Sequence, residues 1–221
     1  MSSAGGIDVL TVVFLVAAFL VGVVLHEVSH GVVALWFGDT TARDAGRLSV
    51  NPIRHVDPFG TVVLPGLLIA LAVIGPGTGV VFGYARPVPV RSDRLRRPEQ
   101  MLWVGLAGPI TNLLLALLCV TAVRVVLETA GPALIVEPVF QFLVVWTGVN
   151  TLLCIFNLVP IPPLDGSEVV ARALPAPARQ QFRAAGRFGF LALFALLYLF
   201  PEAISAVLDP VLGALLRLAV A

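Results

Sequence analysis

Between Ile7 and Phe37 the chain runs for roughly 30 residues of nearly continuous apolar sequence, where about 20 suffice to cross the hydrocarbon core of a bilayer. The run has no basic n-region and is far longer than the apolar stretch of a signal peptide, so it is expected to be a retained span. Further runs follow, and the composition agrees with them. Apolar residues make up 58% of the 221 and charged residues 12%, against about 25% charged in an ordinary soluble domain. Too little polar surface is available to cover a water-soluble globule, so a polytopic membrane protein is expected. A net charge of +1 excludes a strongly basic nucleic-acid binder, and no nucleic-acid partner is expected. Cys119 and Cys154 lie inside apolar runs and read as small core residues, not as a disulfide or a metal knuckle.

A polar stretch, Gly38 to Pro58, follows the first run. The second run, Phe59 to Ile74, is short and contains Pro65 and Gly66. Residues 75–98 are rich in Gly, Pro and Arg, and their core GYARPVPV (Gly83 to Val90) reads as extended. A third run covers Met101 to about Val123, and a fourth covers Pro138 to Val159, stopped by Pro160, Pro162 and Pro163. An Arg-bearing connection from Asp165 to Arg187 is expected to include a surface helix. A last span is expected from about Phe188 to Leu208, interrupted at Pro201, with the tail Pro210 to Ala221 at the membrane interface. The expected fold is all-α and polytopic, a bundle of about four to six transmembrane helices with a re-entrant or extended segment near the active site. One membrane-embedded domain covers residues 1–221.

Inside the first span stand His26, Glu27 and His30, in the order Leu25-His26-Glu27-Val28-Ser29-His30. Ionisable groups at membrane depth are costly, which makes them a functional signal. Residues i and i+4 share a helix face, so His26 and His30 can offer imidazoles to one point, with Glu27 in reach of a water held there. HExxH is the pattern of two zinc ligands and a general base. By chance it would occur in a chain of this composition about one time in a thousand, treating positions as independent. The bland alternative, a polar helix face satisfied by its neighbours, explains neither the spacing nor Glu27.

Catalytic zinc usually takes three protein ligands. The remaining His, His55, sits in Asn51-Pro52-Ile53-Arg54-His55-Val56-Asp57-Pro58. The outstanding carboxylate is Asp165, at the end of Asn157-Leu158-Val159-Pro160-Ile161-Pro162-Pro163-Leu164-Asp165-Gly166. Irregular backbone at membrane depth is tolerated only where it lines a cavity or is buried in protein. An isolated Asp-Gly reads as a turn, but beside HExxH the ligand reading of Asp165 is better.

HEVSH on an early span, AGPITN (Ala107 to Asn112) and NLVPIPPLDG (Asn157 to Gly166) together resemble the site-2 protease family of intramembrane zinc metalloproteases. NPIRHVDPFGT (Asn51 to Thr61) and GYARPVPV resemble its compact bacterial and archaeal branch, which lacks a PDZ domain. The resemblance runs in family order from about residue 20 to residue 170. It implies one zinc per chain, held by His26, His30 and Asp165, with Glu27 as general base and acid. It also implies that Asn157 orients substrate or stabilises the oxyanion. The implied substrate is a single-span membrane protein already trimmed by another protease, and the implied location is the plasma membrane of a prokaryote. Ser167 stands where many members have a second glycine after LDG, and neither a PDZ insertion nor a span ahead of the HEVSH helix is read.

For His55 two roles remain open, a hydrogen bond to the tetrahedral intermediate or a loop His paired with Asp57. Gly108 and Pro109 read as close helix packing, and Asn112 leans towards packing near the site. GYARPVPV would suit an edge that pairs with an unwound substrate strand, although its prolines remove donors. The cluster Arg91, Arg94, Arg96 and Arg97 reads as a membrane-flanking anchor to lipid. A metal transporter and a non-catalytic scaffold for membrane proteins are the rival classes. The first would need ligand-bearing helices along a path, and the second leaves the intact HEVSH unexplained. If Phe59–Ile74 dips in and returns, the loops divide twelve Arg against one; a full crossing gives nine against four. The positive-inside rule prefers the first arrangement, with the zinc about 18 Å from Gly38 and nearer the cytoplasmic side.

Overall fold

A computed structural model of the chain describes residues 9–64, 66–67, 70, 83–130 and 138–220. Three helices dominate: α1 (Val9–Trp36), α3 (Gln100–Ala130) and α4 (Pro138–Asn157). At 1.5 Å per residue, the 28 residues of α1 reach about 42 Å and the 20 of α4 about 30 Å. All three are long and apolar enough to cross a membrane, and among the described residues there is no strand. The chain is an all-α polytopic membrane protein.

The three long helices pack each against the other two. Phe14 of α1 meets Phe142 of α4 with ring centroids 5.3 Å apart, and Asn150 of α4 lies against Gly22. Those two pairings advance in the same sense, so α1 and α4 run parallel. His30 pairs with Val104 and His26 with Asn112, which makes α3 antiparallel to both. The C-terminal end of α1, the start of α3 and the end of α4 therefore share one end of the bundle. Trp36 and Trp103, 68% and 57% exposed, mark that end as an interface, where indole rings concentrate.

Between the helices the usual polarity is inverted. Ala18, Ala34 and Ala116 are buried with Asn112, Thr147, Asn150 and Thr151, while Val9, Leu114 and Leu118 face outwards. Lipid tails are as apolar as Leu, so burying Leu gains little; small residues let the backbones approach and polar ones bond inside. Thr147 and Thr151 donate to the carbonyls four residues back, so their hydroxyls add no unsatisfied group to the interior.

A short helix α2 (Thr41–Asp44) follows α1, then 3-10 and π turns at Pro52–His55 and Pro58–Val63. The segment Gly83–Val90 is extended and non-helical, as its prolines predict. Its Tyr84 N–H donates to Gly60 O, and Thr61 Oγ1 donates to Tyr84 O. At Tyr84 the chain thus stands beside Gly60 and Thr61. Most of the second run, Phe59–Ile74, and with it the re-entrant expectation, lies outside the described residues.

Beyond α4 come α5 (Gly166–Ala173) and α6 (Ala176–Ala184), two short helices where one surface helix is expected, then α7 (Gly189–Leu199) and α8 (Pro201–Val220). The last expected span is broken at Phe200, before Pro201, which has no N–H for the preceding turn. One expectation is corrected. The tail from Pro210 does not lie along the interface; Pro210 sits within α8, and Leu215 packs with Ala116, Val120 and Val123 of α3. Its apolar face is used against another helix, a contact that no local pattern signals.

Candidate metal centre

His26 and His30 lie one turn apart on α1 and are buried against α3. Their rings meet edge to face, with centroids 4.7 Å apart. His30 Nδ1 is 2.6 Å from the carbonyl oxygen of Val104. A carbonyl can only accept, so Nδ1 carries the ring proton and Nε2 presents its lone pair. His26 Nδ1 is 2.6 Å from Asn112 Oδ1, one turn of α3 beyond Gly108. Gly108 is the floor beneath the His26 ring, and a Cβ there would run into it. The close approach expected of the AGP sequence is therefore made to a ligand candidate, not only to a neighbouring backbone.

Asp165 arrives from the far side. The proline-rich turn after Asn157 folds back so tightly that a Cβ on Gly166 would collide with the Leu158 carbonyl, which is why glycine follows the aspartate. Asp165 Oδ2 then stands 2.9 Å from His26 Nε2 and 3.4 Å from His30 Nε2. The ligand atoms of the three residues lie within 4.8 Å of one another, the one such cluster of three among the described residues. Tetrahedral zinc, with bonds of about 2.0–2.2 Å, holds its ligands about 3.3–3.6 Å apart. The two distances from Asp165, 2.9 and 3.4 Å, are within a few tenths of an ångström of that spacing, and the ligand nitrogens of the two imidazoles lie within 4.8 Å of each other. Two imidazoles and one carboxylate suit zinc far better than magnesium or calcium, which prefer all-oxygen shells. The donor set fits.

Glu27 is oriented from a different direction. Its Oε2 accepts the main-chain N–H of Val88 at 2.8 Å. That amide belongs to an extended stretch whose alternate residues all bond inwards: Tyr84 to Gly60, Arg86 to His55 O, and Val88 to Glu27. Buried Arg47 donates to the carbonyls of Arg86 and Pro87. Asp39, also buried, takes the N–H of Arg91 and both the N–H and hydroxyl of Thr41. Burial alone would raise the Asp39 pKa, but these hydrogen bonds outweigh it and hold the carboxyl below its ordinary range.

The structure thus brings His26, His30 and Asp165 together with Glu27 alongside. The hydrogen bonds of the His55 and Asn157 side chains go to backbone carbonyls and not to the trio. His55 is 2% exposed, donates from Nε2 to Ser49 O at 2.7 Å, and lines a small apolar cleft with Phe19, Val23 and Ala85. Its partner is thus a carbonyl and not Asp57, whose carboxylate instead accepts the N–H groups of Phe59 and Gly60. Asn157 donates to Leu153 O within its own helix. Three contributors are not singled out by the sequence. Asn150 could have been, as a polar amide in mid-span; the Val88 and Val104 backbone groups could not, because any residue carries them.

The model of Peptidase family M50 matches residues 126–200. A Bacillus subtilis (strain 168) protein named "Putative zinc metalloprotease YwhC" is 36% identical over 205 residues, covering 91% of this chain and 86% of the relative. Proteins named "Putative zinc metalloprotease Rip2" are 30% identical in Mycolicibacterium smegmatis and 34% in Mycobacterium tuberculosis (strain H37Rv). Those matches cover 84% and 83% of this chain but 66% of each relative. No solved structure matches.

Proposed function

The chain belongs to peptidase family M50, the site-2 protease family, and from that premise we propose that it is an intramembrane zinc metalloprotease of HExxH type. His26, His30 and Asp165 would hold one zinc, and Glu27 would serve as general base and acid. The observation that carries this reading is the convergence of Asp165 Oδ2 on the Nε2 atoms of both histidines, with 139 positions between His26 and Asp165.

Zinc held by His26, His30 and Asp165 would supply Lewis acidity and would lower the pKa of water there. Glu27 takes the proton from the attacking water and returns it to the leaving amine. The Val88 N–H holds one carboxylate oxygen, which aims the other. The Val104 carbonyl and the Asn112 amide keep both imidazoles facing Asp165. Asn157 gives one hydrogen of its Nδ2 to the Leu153 carbonyl and would offer the other to the oxyanion. His55 would act through its own carbonyl, which holds Arg86 and so the extended segment.

The substrate proposed is a single-span membrane protein. Helical peptide carbonyls are already bonded and screened, so it must unwind locally, and the Ala85 edge of Gly83–Val90 is where an extended strand would pair. The membrane proposed is a prokaryotic plasma membrane, with the Trp36–Trp103 end cytoplasmic. A transporter would need further ligand clusters along a path, and among the described residues there is this one.

The test is reconstitution with a single-span substrate. E27Q should retain about one zinc per chain and lose cleavage by about 100-fold or more, while D165N loses both. Cleavage by E27Q at the wild-type rate would refute the assignment.

A further inference from the structure

The three long helices share a line of amides at their centre. Asn150 Nδ2 donates to the Trp146 carbonyl at 3.0 Å, and Asn150 Oδ1 accepts from Asn112 Nδ2 at 3.0 Å. Asn112 Nδ2 also donates to the Gly22 carbonyl at 3.2 Å, and Asn112 Oδ1 faces His26 Nδ1 at 2.6 Å. Both asparagines are 0% exposed. The direction of every bond in the line is forced. The Trp146 and Gly22 carbonyls can only accept, so each amide must turn its NH2 towards them and its oxygen the other way. Asn112 therefore offers His26 an acceptor and nothing else. A proton is thereby held on Nδ1, which leaves Nε2, 2.9 Å from Asp165 Oδ2, as the nitrogen whose lone pair a metal placed between the two would take.

We propose that Asn112 is a positioning residue which, held by Asn150 and the Gly22 carbonyl, sets the tautomer and ring angle of His26 for metal binding. Two main-chain carbonyls, Gly22 on α1 directly and Trp146 on α4 through Asn150, thus act on which nitrogen of a ligand on α1 is free. The inference rests on the reading of His26 as a zinc ligand. Partners of this kind orient a ligating imidazole and raise its basicity, and losing one typically costs 10–100-fold in metal affinity.

The chain has three histidines, so 15N-histidine labelling gives few signals. The metal-free protein should show His26 protonated at Nδ1, identified by loss of its signals in H26A. N112L, similar in volume and without an acceptor, should mix the tautomers and weaken zinc binding 10–100-fold in chelator competition. N112D keeps an acceptor towards His26 whether or not its carboxyl is protonated. It should restore Nδ1 protonation and return zinc affinity to within a few-fold of wild type. N150L, which leaves the Gly22 carbonyl to hold Asn112, should fall between wild type and N112L. Wild-type affinity in N112L with Nδ1 still protonated would overturn the proposal. So would an N112D protein as impaired as N112L, the result expected of packing alone. If H26A binds zinc as tightly as wild type, the underlying ligand assignment is what fails.

Discussion

Gly108 offers a sharp perturbation, because a single methyl group is aimed at a ligand candidate. In G108A the new Cβ would sit 2.6 Å from His26 Cδ2 and nearer still to Nε2 and Cε1. Ordinary carbon contacts lie at about 3.5–4.0 Å, so the ring must retreat by about 1 Å. It cannot slide freely, since Asn112 holds Nδ1 from behind. Zinc–ligand distances hold to about 0.2 Å, and disturbing the support of a ligand typically costs about 10–100-fold in metal affinity, or about 1.4–2.7 kcal/mol. Overpacking should destabilise the fold by about 1–3 kcal/mol, so binding and folding should suffer comparably. Zinc affinity by chelator competition and thermal unfolding of the metal-free protein separate the two. G148A is the control, because no atom lies within 4 Å of its Cβ. Zinc affinity in G108A within threefold of wild type would show that His26 does not bind metal from this position.

Topology can be read from single cysteines at Ser49, Ser92, Thr129 and Ala176 in a C119A/C154A background. Labelling of intact cells with an impermeant maleimide should reach Thr129 alone; reaction at Ala176 would invert the orientation. The Asp39 clamp predicts a pH dependence. Its pKa is depressed from 3.8 in the folded chain, so its contribution is complete above that value and is lost as pH falls through the lowered one. D39N should cost about 1–2 kcal/mol at neutral pH and flatten the acid limb of the thermal stability profile. An unchanged acid limb would show that Asp39 is not the group responsible.

The convergence of His26, His30 and Asp165 was legible because each part of the pattern is local: i and i+4 on one helix, and an aspartate after prolines that stop another. Asp165 was read at the end of the fourth span, and the turn that Gly166 permits delivers it to the histidines. Less legible were the partners. The Val88 N–H and Val104 carbonyl carry no side-chain signature, and Asn150 makes sense only once Asn112 faces it across 3.0 Å. The tail failed for the same reason. Leu215 has no pattern of its own to distinguish a helix on lipid headgroups from one on Val120 and Val123.

The pairing of Gly60 with Tyr84 sets the register of the residues that follow. From Tyr84 to Val88 no change of length is tolerated. A slip of one residue moves the backbone by about 3.3 Å and turns each amide to the opposite edge. Pro87 or Pro89 would then stand where Val88 now donates to Glu27, and neither has an N–H to give. The aim of Glu27 is thus set by a count of four residues that begins at Tyr84, on a segment far from it in sequence.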